Sequence, residues 1–459
     1  MNRSMMALMN GSMNRPARRF ARWWAALALS GLAAAAQAAI PIQHWTHASG
    51  ARVFFVPSPA LPMLDVQLDV DAGSRRDPVG RRGLAAVTAG QLDSGLLAAD
   101  GAPALDENRL TEAWLDLGAQ FGASAGSDRF TVQLRTLTEP DLLARAVALA
   151  ARQLAHPAWA PQPWQRDRER LLAALREAEN QPATLAGRRF AAAVYGDHPY
   201  GAQPAAADYQ AITSEDQRDF YRRHVVACRA QVSLVGAIDR AEAERIADRL
   251  LAALAPHGCP PVSAVPEVAP LAAPVDLRLP FARAAQAQVL IGQPGVSRSD
   301  PDFFPLLVGN YILGGGGFVS RLTTEVRERR GLSYSVYSYF SPGRHAGAFQ
   351  IGLTTRPDQA DQAVAVARDT LTRFMADGPT EAELAGAKAF LVNGFALRFD
   401  SNRKLLDNVA NIGWNGLPLD YLDTWTREVE RVTAADIRRA FNRVLQPDRL
   451  VTVVVGAPQ

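Results

Sequence analysis

The sequence is poor in the residues that metal and redox chemistry require. It has seven histidines in 459 residues, at positions 44, 47, 156, 198, 224, 257 and 345. No two are spaced four apart, the spacing that puts a pair on one face of a helix to grip a metal ion. Only two cysteines occur, Cys228 and Cys259, which excludes a disulfide framework. In an oxidising compartment they either pair or stand as single thiols, and the sequence leaves both open. Charge of one sign is never concentrated: the formal net charge is +3, and the arginines are scattered among acids. That pattern excludes a nucleic-acid footprint. After the first forty residues no apolar run is long enough to span a membrane. The run Gly314 to Gly317 lacks the lysine and Ser/Thr of a phosphate-cradling loop. No Ser/His/Asp or Cys/His arrangement is visible along the chain.

What is present begins with a targeting segment. Arg15, Arg18, Arg19 and Arg22 precede an apolar run from Trp23 to Ala36, and Ala36-Gln37-Ala38 offers a small-residue cleavage site. Residues 1–38 are therefore expected to be a signal peptide, with the start at Met1 or Met13, and the mature chain to be exported. From Ala255 to Pro280 seven prolines crowd a stretch without periodicity, which reads as a semi-rigid linker. It divides the chain into 40–254 and 281–459.

The two parts resemble each other. Ser74-Arg75-Arg76-Asp77-Pro78 recurs as Ser297-Arg298-Ser299-Asp300-Pro301, 223 positions on. Thr213, Asp216, Arg218, Arg223, Arg229, Val235 and Gly236 recur 220 positions on as Thr433, Asp436, Arg438, Arg443, Arg449, Val455 and Gly456. Two ordered blocks at nearly one offset predict an internal duplication, each half folding alike. Within the first half, strands are expected at Arg52–Pro57, Leu64–Ala72, Arg129–Leu137 and Ala230–Val235. Helices are expected at Gly83–Leu97, Leu110–Leu117, Glu139–Leu154, Pro163–Glu179 and Ser214–His224. Strands interspersed with helices imply an α/β or α+β sandwich rather than a bundle.

The most informative stretch is Leu313–Phe340. Four glycines (Gly314, Gly315, Gly316, Gly317) are expected to break the chain before an amphipathic helix, and Gly331 to end that helix. An alternating strand follows, predicted to put Tyr334, Val336 and Ser338 on one face and Ser335, Tyr337 and Tyr339 on the other. Arg327 late in the helix and Tyr334 early in the strand then converge, a cation and a phenol donor suited to a carbonyl oxygen gaining negative charge. The residues alone equally allow a solvated helix end, its arginines favoured by the helix dipole.

The whole stretch resembles the glycine-rich loop, helix and strand of the second half of pitrilysin- and insulinase-like zinc metallopeptidases. Arg327 and Tyr334 match that family's R-x-x-x-x-x-x-Y spacing. Tyr195-Gly196-Asp197-His198-Pro199-Tyr200-Gly201 looks like a landmark of the family's first half, with His198 a turn residue. Pro379-Thr380-Glu381-Ala382-Glu383-Leu384, followed by Lys388, looks like one of the second. The resemblance implies an α+β fold of two homologous domains, each a mainly antiparallel sheet carrying helices, forming half of a clamshell. It implies roles too: Arg327 and Tyr334 at the reaction centre, with Gly314 to Gly317 and Phe318 binding substrate.

An active member carries H-x-x-E-H on a first-half helix. Here Gly83-Leu84-Ala85 matches the start of that helix, yet Ala86 stands at the first histidine, Ala89 at the glutamate and Gly90 at the second histidine. Only Glu169 falls where a third ligand is expected. None of the three side chains can bind zinc or move a proton. By the resemblance, the chain is expected to be a non-catalytic, substrate-binding subunit of a heteromeric peptidase in the bacterial periplasm. It is expected to bind no cofactor itself, with zinc in a homologous partner subunit and peptide as the substrate. The alternative is a peptide-binding or scaffold protein with no enzymatic partner.

Overall fold

The computed structural model describes residues 40–456 except 100, 255–258, 260, 282 and 283. The expected signal peptide, residues 1–38, lies outside the described residues. Within the described part, no helix is long and apolar enough to cross a membrane.

Two sheets organise the chain. The first contains β1 (Gln43–Thr46), β2 (Arg52–Pro57), β3 (Met63–Val70), β4 (Gln120–Ala125), β5 (Phe130–Leu137) and β6 (Ala230–Gly236). Their order across the sheet is β1-β2-β6-β3-β5-β4. The second contains β7 (Val275–Leu279), β8 (Ala287–Pro294), β9 (Ser333–Phe340), β10 (Ala348–Thr355) and β11 (Val451–Val455), in the order β9-β10-β8-β11-β7. Reading each sheet from its β4 or β9 edge gives one topology twice, with β1 added to the first. Each has a single parallel pair, β2 with β6 and β11 with β7, and is otherwise antiparallel. The duplication read from sequence is thus a duplicated α+β architecture.

The registers fix how the copies align. Asp65 pairs with Val235 in the first sheet, and Gln288 with Val455 in the second. Val70 faces Phe130, and Gln293 faces Phe349, both phenylalanines fully buried. The repeated Thr/Asp positions also have a physical purpose. Helices Ser214–His224 and Ala434–Val444 each begin with a reciprocal cap, Thr213 with Asp216 and Thr433 with Asp436.

Helices cross between the sheets. Helix Pro182–Tyr195, before the linker, packs on β8 and β11, where Ala186, Phe190 and Val194 meet Val451, Val453 and Val455. Helix Asn402–Asn415 packs on β6 and β3, and the Gln231 amide donates to Ala410 O at 2.8 Å. Gly413 leaves the space that the Phe54 ring fills.

Some expectations change. The helix expected over Gly83–Leu97 runs only Leu84–Gly90, followed by a 3-10 turn and a two-residue strand at Gly95–Leu96. Gly95, at φ +127, takes a backbone conformation no helix allows. The proline-rich linker ends in structure, because Val275–Leu279 alternates and pairs with β11. Cys228 and Cys259 are joined as a disulfide, the pairing that the sequence left open.

Candidate functional site

The site is built at the β9 edge of the second sheet. Here the helix Phe303–Asn310 does not break at the glycines: it continues as a wider π-type winding over Tyr311–Gly315, which includes Gly314 and Gly315. Such windings occur mostly as single turns and often at functional sites. Gly314 is buried, and a Cβ there would lie 2.4 Å from Ser338 Oγ and 2.6 Å from its backbone nitrogen. Its smallness therefore lets this helix lie against β9. Gly315 and Gly317 are exposed and Gly316 half-buried. Gly317, at φ +60, turns the chain so that Phe318 projects into solvent, 68% exposed.

A second π-type segment, Thr323–Glu328, carries Arg327. Gly331, at φ +61, ends it, as expected from sequence, and β9 begins two residues later. The expected alternation of β9 fails at its start. A bulge lies between Ser333 and Val336, held by Ser333 Oγ, which donates toward Ser335 O and Thr354 O and accepts from Ser335 N. Val336 and Ser338 are buried, whereas Tyr334 is 80% exposed. Tyr334 is re-aimed away from the face it was predicted to share with them.

That rotation brings Tyr334 to Arg327. The guanidinium carbon of Arg327 lies 4.4 Å from the centre of the Tyr334 ring and 4.7 Å from that of Phe318. Both distances fall within cation–π range. Its neighbours behave differently. Arg329 and Arg330 fold back on Glu325, each at 2.6 Å, holding its carboxyl below the usual range. Among the described residues Arg327 has no carboxylate within 4 Å. The solvated-helix reading therefore describes Arg329 and Arg330, and Arg327 is set apart from them.

The segment is anchored from behind. Arg321 makes a two-pronged ion pair with Glu383, both contacts at 2.7 Å, and Glu383 also caps its own helix through Thr380. These contacts hold the Glu383 carboxyl down at about 2, chiefly through the Arg321 hydrogen bonds. Beyond Tyr334, Tyr337 and Tyr339 stack at 5.8 Å on the exposed face of β9. β9 is an edge strand, and at its middle the Ser338 carbonyl accepts from Asn310 Nδ2 at 3.1 Å.

The first-half helix Leu84–Gly90 presents no metal chemistry. Ala86 and Gly90 lie on its exposed side and Ala89 is buried. Its N-terminus is held by Asp77, whose carboxylate accepts from Gly83 N at 2.7 Å and Ala85 N at 2.8 Å. Burial nevertheless pushes that carboxyl up to about 6, outweighing the two backbone donors. Glu169 is exposed. The acid that reaches this region is Asp167, which accepts from Gln91 Nε2 at 2.8 Å. Two residues on a helix are about 200° apart, so Asp167 and Glu169 occupy opposite faces. Helical phase is the signal that sequence reading missed. Side chains without donor atoms at 86, 89 and 90 do not fit a zinc ion. Among the described residues, no three of His, Cys, Asp and Glu gather to hold a metal.

His198 closes a turn: its Nδ1 accepts from Tyr200 N at 3.1 Å and its Nε2 lies 3.0 Å from Pro266 O.

The fold and sequence have close counterparts. Residues 211–391 match the family model described as peptidase M16 inactive domain. The structure of a peptidase M16 inactive domain from Pseudomonas fluorescens is 31% identical, with a TM-score of 0.85, covering 91% of this chain and 98% of that one. An uncharacterized zinc protease of Streptomyces coelicolor is 29% identical over 290 residues, which is 61% of this chain and 62% of the relative. The match thus spans about three fifths of that curated relative's length. The periplasmic protease PqqL of Escherichia coli is 16% identical with a TM-score of 0.78, over 91% of this chain and 45% of PqqL, a likeness of fold.

Proposed function

The chain belongs to the peptidase M16 family, whose inactive domain it matches, and from that premise we propose that it is the substrate-binding subunit of a two-chain peptidase. It is a pseudo-peptidase, because the positions of the zinc helix hold Ala86, Ala89 and Gly90. The partner is a homologue that carries an intact H-x-x-E-H and the zinc. This chain supplies Arg327 to hold a carbonyl or carboxylate oxygen of the peptide, and Tyr334 to donate a hydrogen bond to the oxyanion as it develops. The exposed Gly315, Gly317 and Phe318 receive the peptide, the glycines letting its backbone approach closely.

One observation carries this reading: Arg327 has no acid partner among the described residues, lies 4.7 and 4.4 Å from the centres of the Phe318 and Tyr334 rings, and sits on a segment braced by Arg321 and Glu383. A cation oriented by aromatic rings and left without a carboxylate supports a role toward a ligand oxygen. Compartment follows from the arginine-preceded apolar segment at the start of the sequence, and export to the periplasm agrees with the description of PqqL.

Peptide hydrolysis by this chain, by a zinc-bearing homologue encoded beside it, and by the two mixed tests the proposal. Turnover by the mixture well above the homologue's own supports it. An unchanged rate makes this chain a scaffold or a peptide binder.

A further inference from the structure

A cavity of about 480 Å³ lies at the end of β9 opposite Tyr334, where the Asp128–Arg129 turn of the first half meets the second. Four arginines line it: Arg129, Arg298, Arg344 and Arg398. All four lie over aromatic faces. Arg298 is 3.7 Å from the Phe303 ring centre, Arg398 is 5.1 Å from Trp425, and Arg129 and Arg344 both approach Trp414, at 5.2 and 5.8 Å. Only Arg129 has an acid partner within 4 Å among the described residues, Asp69 at 3.5 Å. One carboxylate also lines the cavity, Asp128, and it is already engaged by Arg75, the Tyr200 hydroxyl and the backbone nitrogen of Arg344.

The internal duplication shows why Arg298 is exceptional. Its counterpart, 223 positions earlier, is Arg75, which is buried and ion-paired with Asp71 and Asp128. The same offset carries Asp71 to Pro294, and the sheet registers that align Phe130 with Phe349 carry Asp128 to Gly347. Both acids are therefore missing from the second copy. Arg298 keeps its place, donates to the Tyr421 hydroxyl, and lines the cavity with no ion-pair partner among the described residues. A guanidinium presents a planar fork of donors that matches a carboxylate or phosphate.

We propose that this cavity binds a small oxyanion, carboxylate or phosphate, attached to a flat apolar body: Arg298 and Arg398 take the anion, and the apolar lining of Leu307, Phe340 and Trp414 receives the body. The site is distinct from Arg327 and Tyr334, and stands whether or not the chain serves a peptidase.

Calorimetric titration of the purified chain with N-acetylphenylalanine, its C-terminal amide and phenyl phosphate tests it. Saturable binding of at least one of the two anions, with none of the amide, is expected; which anion binds more tightly identifies the oxyanion. Arg298→Ala and Arg398→Ala should each weaken binding roughly tenfold or more, the loss of a charge-assisted contact. Arg398 is exposed and unpaired by any acid among the described residues, so its variant decides the matter if Arg298→Ala fails to fold. Absence of binding by both anions, equal binding of the amide, or undiminished binding by Arg398→Ala overturns the inference.

Discussion

At the scale of single residues, the glycine run separates into two roles. Gly314 is where a helix and β9 touch, and any side chain there meets the backbone of Ser338. Gly317 has open space around it but a left-handed backbone. Gly314→Ala is expected to lose about 1–3 kcal/mol through overpacking. Gly317→Ala is expected to lose about 1 kcal/mol through backbone strain, which Gly317→Asn relieves because Asn tolerates that conformation. Urea melts of the three variants check this, and a neutral Gly314→Ala contradicts the packing account. Sequence showed the run and its importance but not this division, because a string of identical residues carries no sign of which one faces a neighbour. The same limit applied to Tyr334. Its spacing from Arg327 was legible, whereas its exposure depends on a bulge set by the hydroxyl of Ser333, one of many serines with no distinguishing pattern.

At the scale of elements, the segment carrying Arg327 is braced by Arg321 and Glu383. Glu383 titrates near 2 in the folded chain against an ordinary 4.5. A carboxyl whose folded value is depressed contributes stability that is full above the ordinary value and is lost as pH falls through the folded one. Glu383→Gln should therefore be less stable than the native chain at pH 6, by about 1 kcal/mol given solvent screening of a part-exposed pair. The gap should close between about pH 4.5 and 2. Denaturant midpoints across that range test it; a gap independent of pH shows that shape rather than charge matters at Glu383. The residues of such caps were visible in advance, though only as repeats. Thr213/Asp216 and Thr433/Asp436 stood out as repeated pairs three apart, since capping is local chemistry. The degenerate helix was readable for the same reason, by the residues it lacks. What escaped was longer in range: Asp167 rather than Glu169 meets that region, and β7 emerges from a proline-rich stretch because β11, 176 positions on by the Val275–Val451 pairing, is there to pair with it.

At the scale of the whole molecule, duplication is the organising fact, and it was visible as two offsets. The sequence could not reveal that each half covers the other's sheet with a helix. The apolar face of Pro182–Tyr195 looks the same whichever sheet it packs on. Duplication also exposes how the copies diverged: the first copy lacks the side chains of a zinc site, and the second retains Arg327 and Tyr334. The most direct test of the split-site account is steady-state peptide hydrolysis by the mixture of this chain and its zinc-bearing homologue, with the native chain, Arg327→Ala and Tyr334→Phe compared. Loss of one oxyanion donor costs roughly a hundredfold or more in kcat, so Tyr334→Phe is expected to lower kcat on that scale while the chain melts unchanged. Arg327→Ala is expected to lower kcat/KM. Hydrolysis equal to that of the native mixture in both variants would contradict the account and leave this face of the molecule without a part in catalysis.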